Sequence, residues 1–313
     1  MTQQIAFLFP GQGSQSIGML ADLQAAYPVV AETFAEASDG LGFDLWKLVQ
    51  DGPESDLNQT HNTQPAMLAA GVAAWRVWKQ QGGSDPVVMA GHSLGEYSAL
   101  TCSGSLQFTD AIKLVAERGR LMQQSVPEGV GAMAAVLGLD DDAVRQVCAD
   151  AAGEEVVEAV NFNSPGQVVI AGHAEAVARA IEAAKEAGAK RALPLPVSVP
   201  SHCALMKPAA EQLAEVLSGI EVSMPAIPVI HNVNVAVADA ADGIRQMLVE
   251  QLYSPVRWTE TVQRMQSDGV SLLVEAGPGK VLTGLARRID RKLDAMPLFD
   301  PASLEKLMES LDV

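Results

Sequence analysis

A serine stands between two glycines in Gly91-His92-Ser93-Leu94-Gly95, the G-x-S-x-G spacing of a nucleophile elbow. An elbow needs a strand before it and a helix after it. The flanking pattern supplies both, with residues 86–90 reading as a short buried strand and residues 94–102 as a helix. Glycine on each side permits a turn so tight that a Cβ there would clash. The hydroxyl is then lifted clear of the sheet at a helix N-terminus, where unpaired backbone N–H groups and the helix dipole favour an oxyanion. Ser93-Leu94-Gly95-Glu96 also fits a capping box, which starts a helix and implies no chemistry.

A serine nucleophile needs a base, and the chain has five histidines: His61, His92, His173, His202 and His231. His92 adjoins Ser93, but neighbouring side chains on an extended backbone point to opposite sides, so it reads as packing the elbow. His61 falls in a polar loop segment, residues 58–62, and His173 starts a helix; both read as surface or cap residues. His231 lies near a strand end and reads as a core histidine. His202 follows Val199-Pro200-Ser201, where the chain returns to its larger unit, and its position at a cleft between units makes it the leading base. Glu275, at a strand end, is where a hydrolase would keep the acid that orients its histidine; the other reading is a purely structural strand end.

The elements that must position these groups fall into two rhythms. Ile5–Phe9 is a continuous apolar run, hence a buried parallel strand, and Pro10-Gly11-Gln12-Gly13-Ser14 turns after it. Helical spacing over residues 63–81 and 109–125, and a late strand at 272–276 ending in Gly277-Pro278-Gly279, complete an alternating pattern that predicts a parallel α/β sheet. Gly277-Pro278-Gly279-Lys280 lacks the spacing and hydroxyl residue of a phosphate loop and reads as a turn, and Ser16 stands where a dinucleotide turn after Gly11 and Gly13 would need its third glycine. The middle of the chain differs. Strands at 132–137, 156–161, 168–171 and 191–195, with helices at 140–152 and 174–187, give the order βαββαβ of a ferredoxin-like unit. The expected division is a catalytic unit of residues 1–128 and 198–313, with residues 129–197 inserted.

Composition narrows the function. A length of 313 residues suits about two domains, and 48% hydrophobic against 19% charged residues excludes a disordered chain. The formal charge of −17 argues against nucleic acid as a partner. Three cysteines without a CxxC pair fit a reducing compartment and no zinc site, and neither a signal-like N-terminus nor a run of about 18 apolar residues is seen, so a cytoplasmic protein without membrane association is expected.

Five segments together carry a resemblance: 9–15 (Phe9-Pro10-Gly11-Gln12-Gly13-Ser14-Gln15), 91–96 (through Glu96), 117–120 (Glu117-Arg118-Gly119-Arg120), 199–202 and 275–279. In this order they closely resemble the malonyl-CoA:acyl-carrier-protein transacylases of type II fatty acid synthesis, over essentially the whole chain. The resemblance implies a hydrolase-like α/β domain with a ferredoxin-like insertion. It also implies a ping-pong reaction in which Ser93, deprotonated by His202, takes malonyl from malonyl-CoA and passes it to the thiol of acyl carrier protein. It assigns the oxyanion to the backbone N–H groups of Gln12 and Leu94 and the orientation of the histidine to the backbone carbonyl of Gln251. Met122, Asn163 and His92 are assigned to the substrate pocket, although Met122 and Asn163 fit ordinary packing equally well.

Malonate keeps a free carboxylate, and a planar two-pronged donor suits it better than lysine. Residues two apart on a helix point roughly 200° apart, so only one of Arg118 and Arg120 can face the pocket, and Arg118 shares a face with Leu114 and Met122. The resemblance places the malonate-binding arginine at Arg118. An acidic carrier protein would need local positive charge on this acidic chain; Lys190 with Arg191, and Arg287 with Arg288, supply it, the other reading being solvated surface. No metal and no bound cofactor are expected, and the chain's end soon after the last motif suggests a monomer. Two alternatives remain: a serine esterase or thioesterase of the same fold, and a non-catalytic module that binds acyl carriers.

Overall fold

The structure is a computed structural model that describes residues 3–197 and 199–311. The expected junction at 197/198 therefore falls partly on Ser198, outside the described residues, as do the first two and last two positions. Nine strands occur among the described residues: β1 (Ile5–Phe9), β2 (Val88–Gly91), β3 (Gly131–Leu137), β4 (Val157–Ser164), β5 (Gln167–His173), β6 (Arg191–Pro194), β7 (Val229–Ile230), β8 (Leu272–Ala276) and β9 (Asp294–Leu298).

Five of them form a sheet in the order β7-β2-β1-β8-β9, with every pairing parallel. Every residue of β1 and β8 is buried, which is why β1 reads as an unbroken apolar run and β8 as one interrupted only by Glu275. Phe7 on the central strand packs edge-on against Trp75, at 5.1 Å between ring centroids, and beside Trp78, so the long helix Thr60–Gln80 covers that face. Burial of such a ring contributes roughly 1.5–3 kcal/mol. Strand β1 lies at the centre, with β2 on one side and β8 on the other, so the chain changes direction there. Ligands of open parallel sheets bind at that switch point, beyond the carboxyl ends of the strands.

The other four strands form a separate antiparallel sheet, β4-β5-β3-β6, backed by the helices Asp141–Ala152 and Ala174–Glu186. This is the strand order of the expected ferredoxin-like unit. It is fastened to the larger sheet's side of the molecule by backbone bonds: Phe162 N–H donates to the Val256 carbonyl at 3.0 Å and Val256 N–H to the Val160 carbonyl at 2.8 Å. Several boundaries differ from expectation by one to three residues, as where the strand expected at 156–161 runs over Val157–Ser164. The segment expected as a polar loop at 58–62 is already helical from Thr60, although His61 is exposed as anticipated.

Candidate active site

The loops that leave β1 and β2 meet beyond the carboxyl ends of those strands. A Cβ on Gly91 would lie 1.8 Å from the Gly95 carbonyl carbon, and one on Gly95 would lie 1.9 Å from the Phe9 carbonyl oxygen, so both flanks of the elbow must be glycine. Ser93 between them has φ 51°, in the left-handed region. Asn232 braces this turn on both sides: its Oδ1 accepts from Ser93 N–H at 2.7 Å and its Nδ2 donates to the Gly91 carbonyl at 2.7 Å. The capping-box reading is not what the geometry shows. No side chain caps the helix Gly95–Cys102, and Glu96 instead points into the interior, fully buried.

Of the five histidines, His202 is the one that meets Ser93. Its Nε2 is 2.8 Å from Ser93 Oγ and its Nδ1 is 2.7 Å from the Gln251 carbonyl oxygen. A carbonyl only accepts, so the proton must sit on Nδ1, leaving Nε2 free to accept from the serine hydroxyl. Burial, reinforced by the Arg118 guanidinium, pulls the His202 pKa down to about 3, against the opposing pull of its bond to the Gln251 carbonyl. Of the other four, His92 lines the same cleft without touching the Ser93 hydroxyl, and the remaining three lie outside it. His92 Nε2 pairs with Asn163 Oδ1 at 2.8 Å and its ring leans on Trp258; His231 is buried against Glu96; His173 occupies the N-cap position of its helix; His61 faces solvent.

Glu275 is not the acid of a triad. Its Oε1 accepts from Leu282 N–H at 2.9 Å, and its Oε2 accepts from Thr283 N–H and Thr283 Oγ1–H, each at 2.7 Å. The carboxylate satisfies the first turn of the helix Val281–Ile289, where unpaired N–H groups and the dipole favour an anion. The group that orients His202 is the Gln251 backbone.

Arg118 and Arg120 diverge as their two-residue spacing requires. Arg120 is exposed and paired with Glu117, whereas Arg118 is 1% exposed. Arg118 Nη1 donates to Gln64 Oε1 at 2.8 Å, and Nη2 donates to Gln251 Oε1 at 3.0 Å and to Ser93 Oγ at 3.3 Å. All three acceptors are neutral. Among the described residues no carboxylate lies within ion-pair distance of this guanidinium, and its Nε–H has no partner. A buried cation without a counter-ion is costly, and burial lowers its pKa; such a site favours an incoming anion.

Ser93, His202 and Arg118 line one cleft of about 410 Å³, which also takes in Gln12, Leu94, Met122, Asn163 and Gln167. The backbone N–H groups of Gln12 and Leu94 make no hydrogen bond among the described residues, so both remain free to receive an oxyanion. Met122 is buried, with its sulfur 3.6 Å from Gln64 Nε2. Of the polar residues that hold the site from behind, Gln64, Asn232 and the Gln251 side chain carry no motif of their own, and the motif on Glu96 is that of a helix cap. The one available signal was polar residues inside otherwise apolar stretches.

The basic pairs are all exposed. Arg288 Nη1 donates to Gln167 Oε1 at 2.6 Å on the cleft wall, and Gln167 stands in register with Leu137, which stands in register with Arg191. Two strand spacings, ~10 Å, therefore bring Arg288 near the Lys190-Arg191 pair at one end of the small sheet. Arg287 turns the other way, to the Ala295 carbonyl and a separate groove along β9. Among the described residues no helix is long and apolar enough to cross a membrane, and no group of three or more His, Cys, Asp or Glu is arranged to hold a metal ion.

A family model described as the acyl transferase domain matches residues 6–297. The malonyl CoA-acyl carrier protein transacylase of Escherichia coli strain K12 is 60% identical over 306 residues, covering 98% of this chain and 99% of that protein. An acyl carrier protein S-malonyltransferase from Vibrio cholerae superposes with a TM-score of 0.96 at 62% identity, covering 97% of this chain and all of the other. A malonyl-transacylase solved in complex with a type II PKS acyl-carrier protein superposes at 0.97 with 60% identity, covering 98% of this chain and all of that one. The chain therefore belongs to the acyl transferase domain family, among the malonyl CoA-acyl carrier protein transacylases.

Proposed function

We propose that this protein moves the malonyl group of malonyl-CoA to the phosphopantetheine thiol of an acyl carrier protein, through an ester on Ser93, and so supplies malonyl units for fatty acid chain elongation. The observation that carries this reading is the juxtaposition of Ser93, in contact with the neutral base His202, and Arg118, a buried cation 3.3 Å from the same hydroxyl with no carboxylate partner among the described residues. A general esterase has no use for such a cation in its acyl pocket.

In the first half-reaction the Ser93 proton passes to His202 Nε2 as Oγ bonds to the thioester carbon. The oxyanion is received by the N–H groups of Gln12 and Leu94, and the tetrahedral adduct collapses to expel CoA, whose sulfur takes the proton back from His202. The second half-reaction reverses these roles: the pantetheine thiol gives its proton to His202, its sulfur attacks the ester, and Ser93 leaves. Arg118 holds the malonyl carboxylate as a charge-assisted pair. Because the Arg118 cation helps to depress His202, neutralising it with the substrate carboxylate raises the basicity of His202 as the acyl group arrives.

In the same reading residues 1–128 and 198–313 are the catalytic body, and residues 129–197 are the inserted unit whose Asn163 contacts His92. Arg288, Lys190 and Arg191 meet the acidic carrier protein at the cleft mouth, with Arg287 contributing from its flank. The protein works as a cytoplasmic monomer with no metal and no resident cofactor. The test is CoA release from malonyl-CoA with and without holo carrier protein. One burst of CoA equal to the enzyme present, then turnover only on adding carrier protein, is expected. Steady release without carrier protein would make water the acceptor and the protein a thioesterase.

A further inference from the structure

The carboxamide of Gln251 is fully buried, and its two ends differ only in hydrogen bonding. Its Oε1 accepts from Arg118 Nη2 at 3.0 Å, and its Nε2 donates to the Ser93 carbonyl at 3.1 Å and to Glu96 Oε2 at 2.9 Å. Reversed, the amide would turn its N–H groups on a guanidinium that can only donate, and its oxygen on a carboxylate that can only accept. Glu96 is therefore the charged group that fixes which end faces the site. The Gln251 main chain holds His202, so one residue couples base and cation.

Glu96 is held in turn. It is 0% exposed, and its carboxylate receives His231 Nδ1–H at 2.7 Å and Asn232 N–H at 2.9 Å besides Gln251. No arginine or lysine touches it among the described residues. The buried anion and the buried cation of this site are thus separated by a single carboxamide. Direct contact would have neutralised Arg118 and left no charge for a substrate carboxylate. With the amide interposed, Arg118 is oriented and balanced at a distance, yet free to pair.

We infer that Glu96 is a positioning residue: through the Gln251 carboxamide it aims Arg118 at the acyl pocket while keeping the guanidinium unpaired, and so sets the preference for an acyl group that carries a carboxylate. The inference rests on the reading of Arg118 as the malonate clamp. Its test compares serine loading from malonyl-CoA and from acetyl-CoA in Glu96→Gln, Arg118→Ala and the double variant. Glu96→Gln keeps the side chain's size; with its oxygen in place of Oε2 it still accepts from Asn232 N–H and Gln251 Nε2, and its amide group meets His231 in the other tautomer, so what it removes is the negative charge behind the Gln251 carboxamide. The expected result is a loss of roughly 10-fold in malonyl loading, carried by KM, with acetyl loading within about twofold of wild type. The double variant should load malonyl no more slowly than Arg118→Ala alone, because both substitutions remove one interaction.

Equal losses for both acyl groups, or losses that add in the double variant, would overturn the role of Glu96. If Arg118→Ala itself slowed both substrates equally, the clamp reading would fail first, so the two failures are distinguishable. Should Glu96→Gln not fold, Gln251→Met decides the matter. It leaves the backbone carbonyl that holds His202 and removes the amide between Glu96 and Arg118, so it must lower malonyl loading more than acetyl loading, and equal losses would overturn the inference.

Discussion

Glu96 and Glu275 lie on opposite sides of the central strand, near the ends of β2 and β8, at 0% and 1% exposure, and each carboxylate accepts three hydrogen bonds. The donors on Glu275 come from seven and eight residues further along the chain and belong to the helix that follows. Those on Glu96 come from 135 to 155 residues away and include Gln251, which touches both His202 and Arg118. Burial and satisfaction are therefore equal, and neither marks an acid as functional. What separates the two is whom the donors serve: on the β8 side they are a helix's own unpaired N–H groups, on the β2 side they belong to the reacting centre.

Substitution should separate the two ends accordingly. At the β2 end, Arg118→Ala is expected to lower malonyl loading about 10 to 100-fold, the loss of a charged hydrogen-bonded pair worth about 1.5–3 kcal/mol, while sparing acetyl loading. Single-turnover rates with the two thioesters check this. At the β8 end, Glu275→Ala leaves the helix N–H groups and the Thr283 hydroxyl unpaired, and should cost about 1–3 kcal/mol of stability in urea unfolding. The malonyl rate per folded molecule should stay the same. A loss of rate without loss of stability would return Glu275 to the reaction.

Arg287 and Arg288 form a smaller pair of the same kind, adjacent in sequence but turned to different grooves. Arg288→Glu should raise KM for holo carrier protein about threefold, and Arg287→Glu less, with KM for malonyl-CoA unchanged. Unaltered carrier-protein KM in both variants would remove docking from this surface.

The pH response has the smallest expected effect on rate. A histidine of ordinary pKa would be only about 10% neutral at pH 5.5, whereas His202, held down to about 3, remains an unprotonated acceptor. Serine loading measured by rapid quench should therefore change less than about twofold between pH 7.5 and pH 5.5. Stability carries the opposite signature. The unfolded chain protonates His202 near 6.5 while the folded chain does not, so stability present above that pH is lost as pH falls towards 3, by at most about 1.4 kcal/mol per pH unit. Unfolding curves of wild type and His202→Gln across this range measure that slope.

Much of this was legible in sequence because its cause is local. Two glycines around Ser93 announce a turn too tight for a Cβ, and a two-residue offset on a helix decides that Arg118 and Arg120 part company. Alternating elements likewise give both sheets. Contacts between distant segments leave no such trace. Glu96 has the local pattern of a helix cap, and its partners His231 and Asn232 become its neighbours only because β7 pairs with β2. Gln64, on another helix, meets Arg118 across 54 residues. Glu275 misleads for the converse reason, since a strand-end acid looks alike whether it faces a histidine or the next helix.

The central claim is that Ser93 carries the malonyl group between two thiols, and intact-protein mass after brief mixing with malonyl-CoA tests it most directly. The account predicts a single malonyl-sized increment on the wild-type chain, none on Ser93→Ala, and its disappearance when holo carrier protein is added. An increment that persists on Ser93→Ala, or carrier-protein acylation with no enzyme adduct formed, would contradict it.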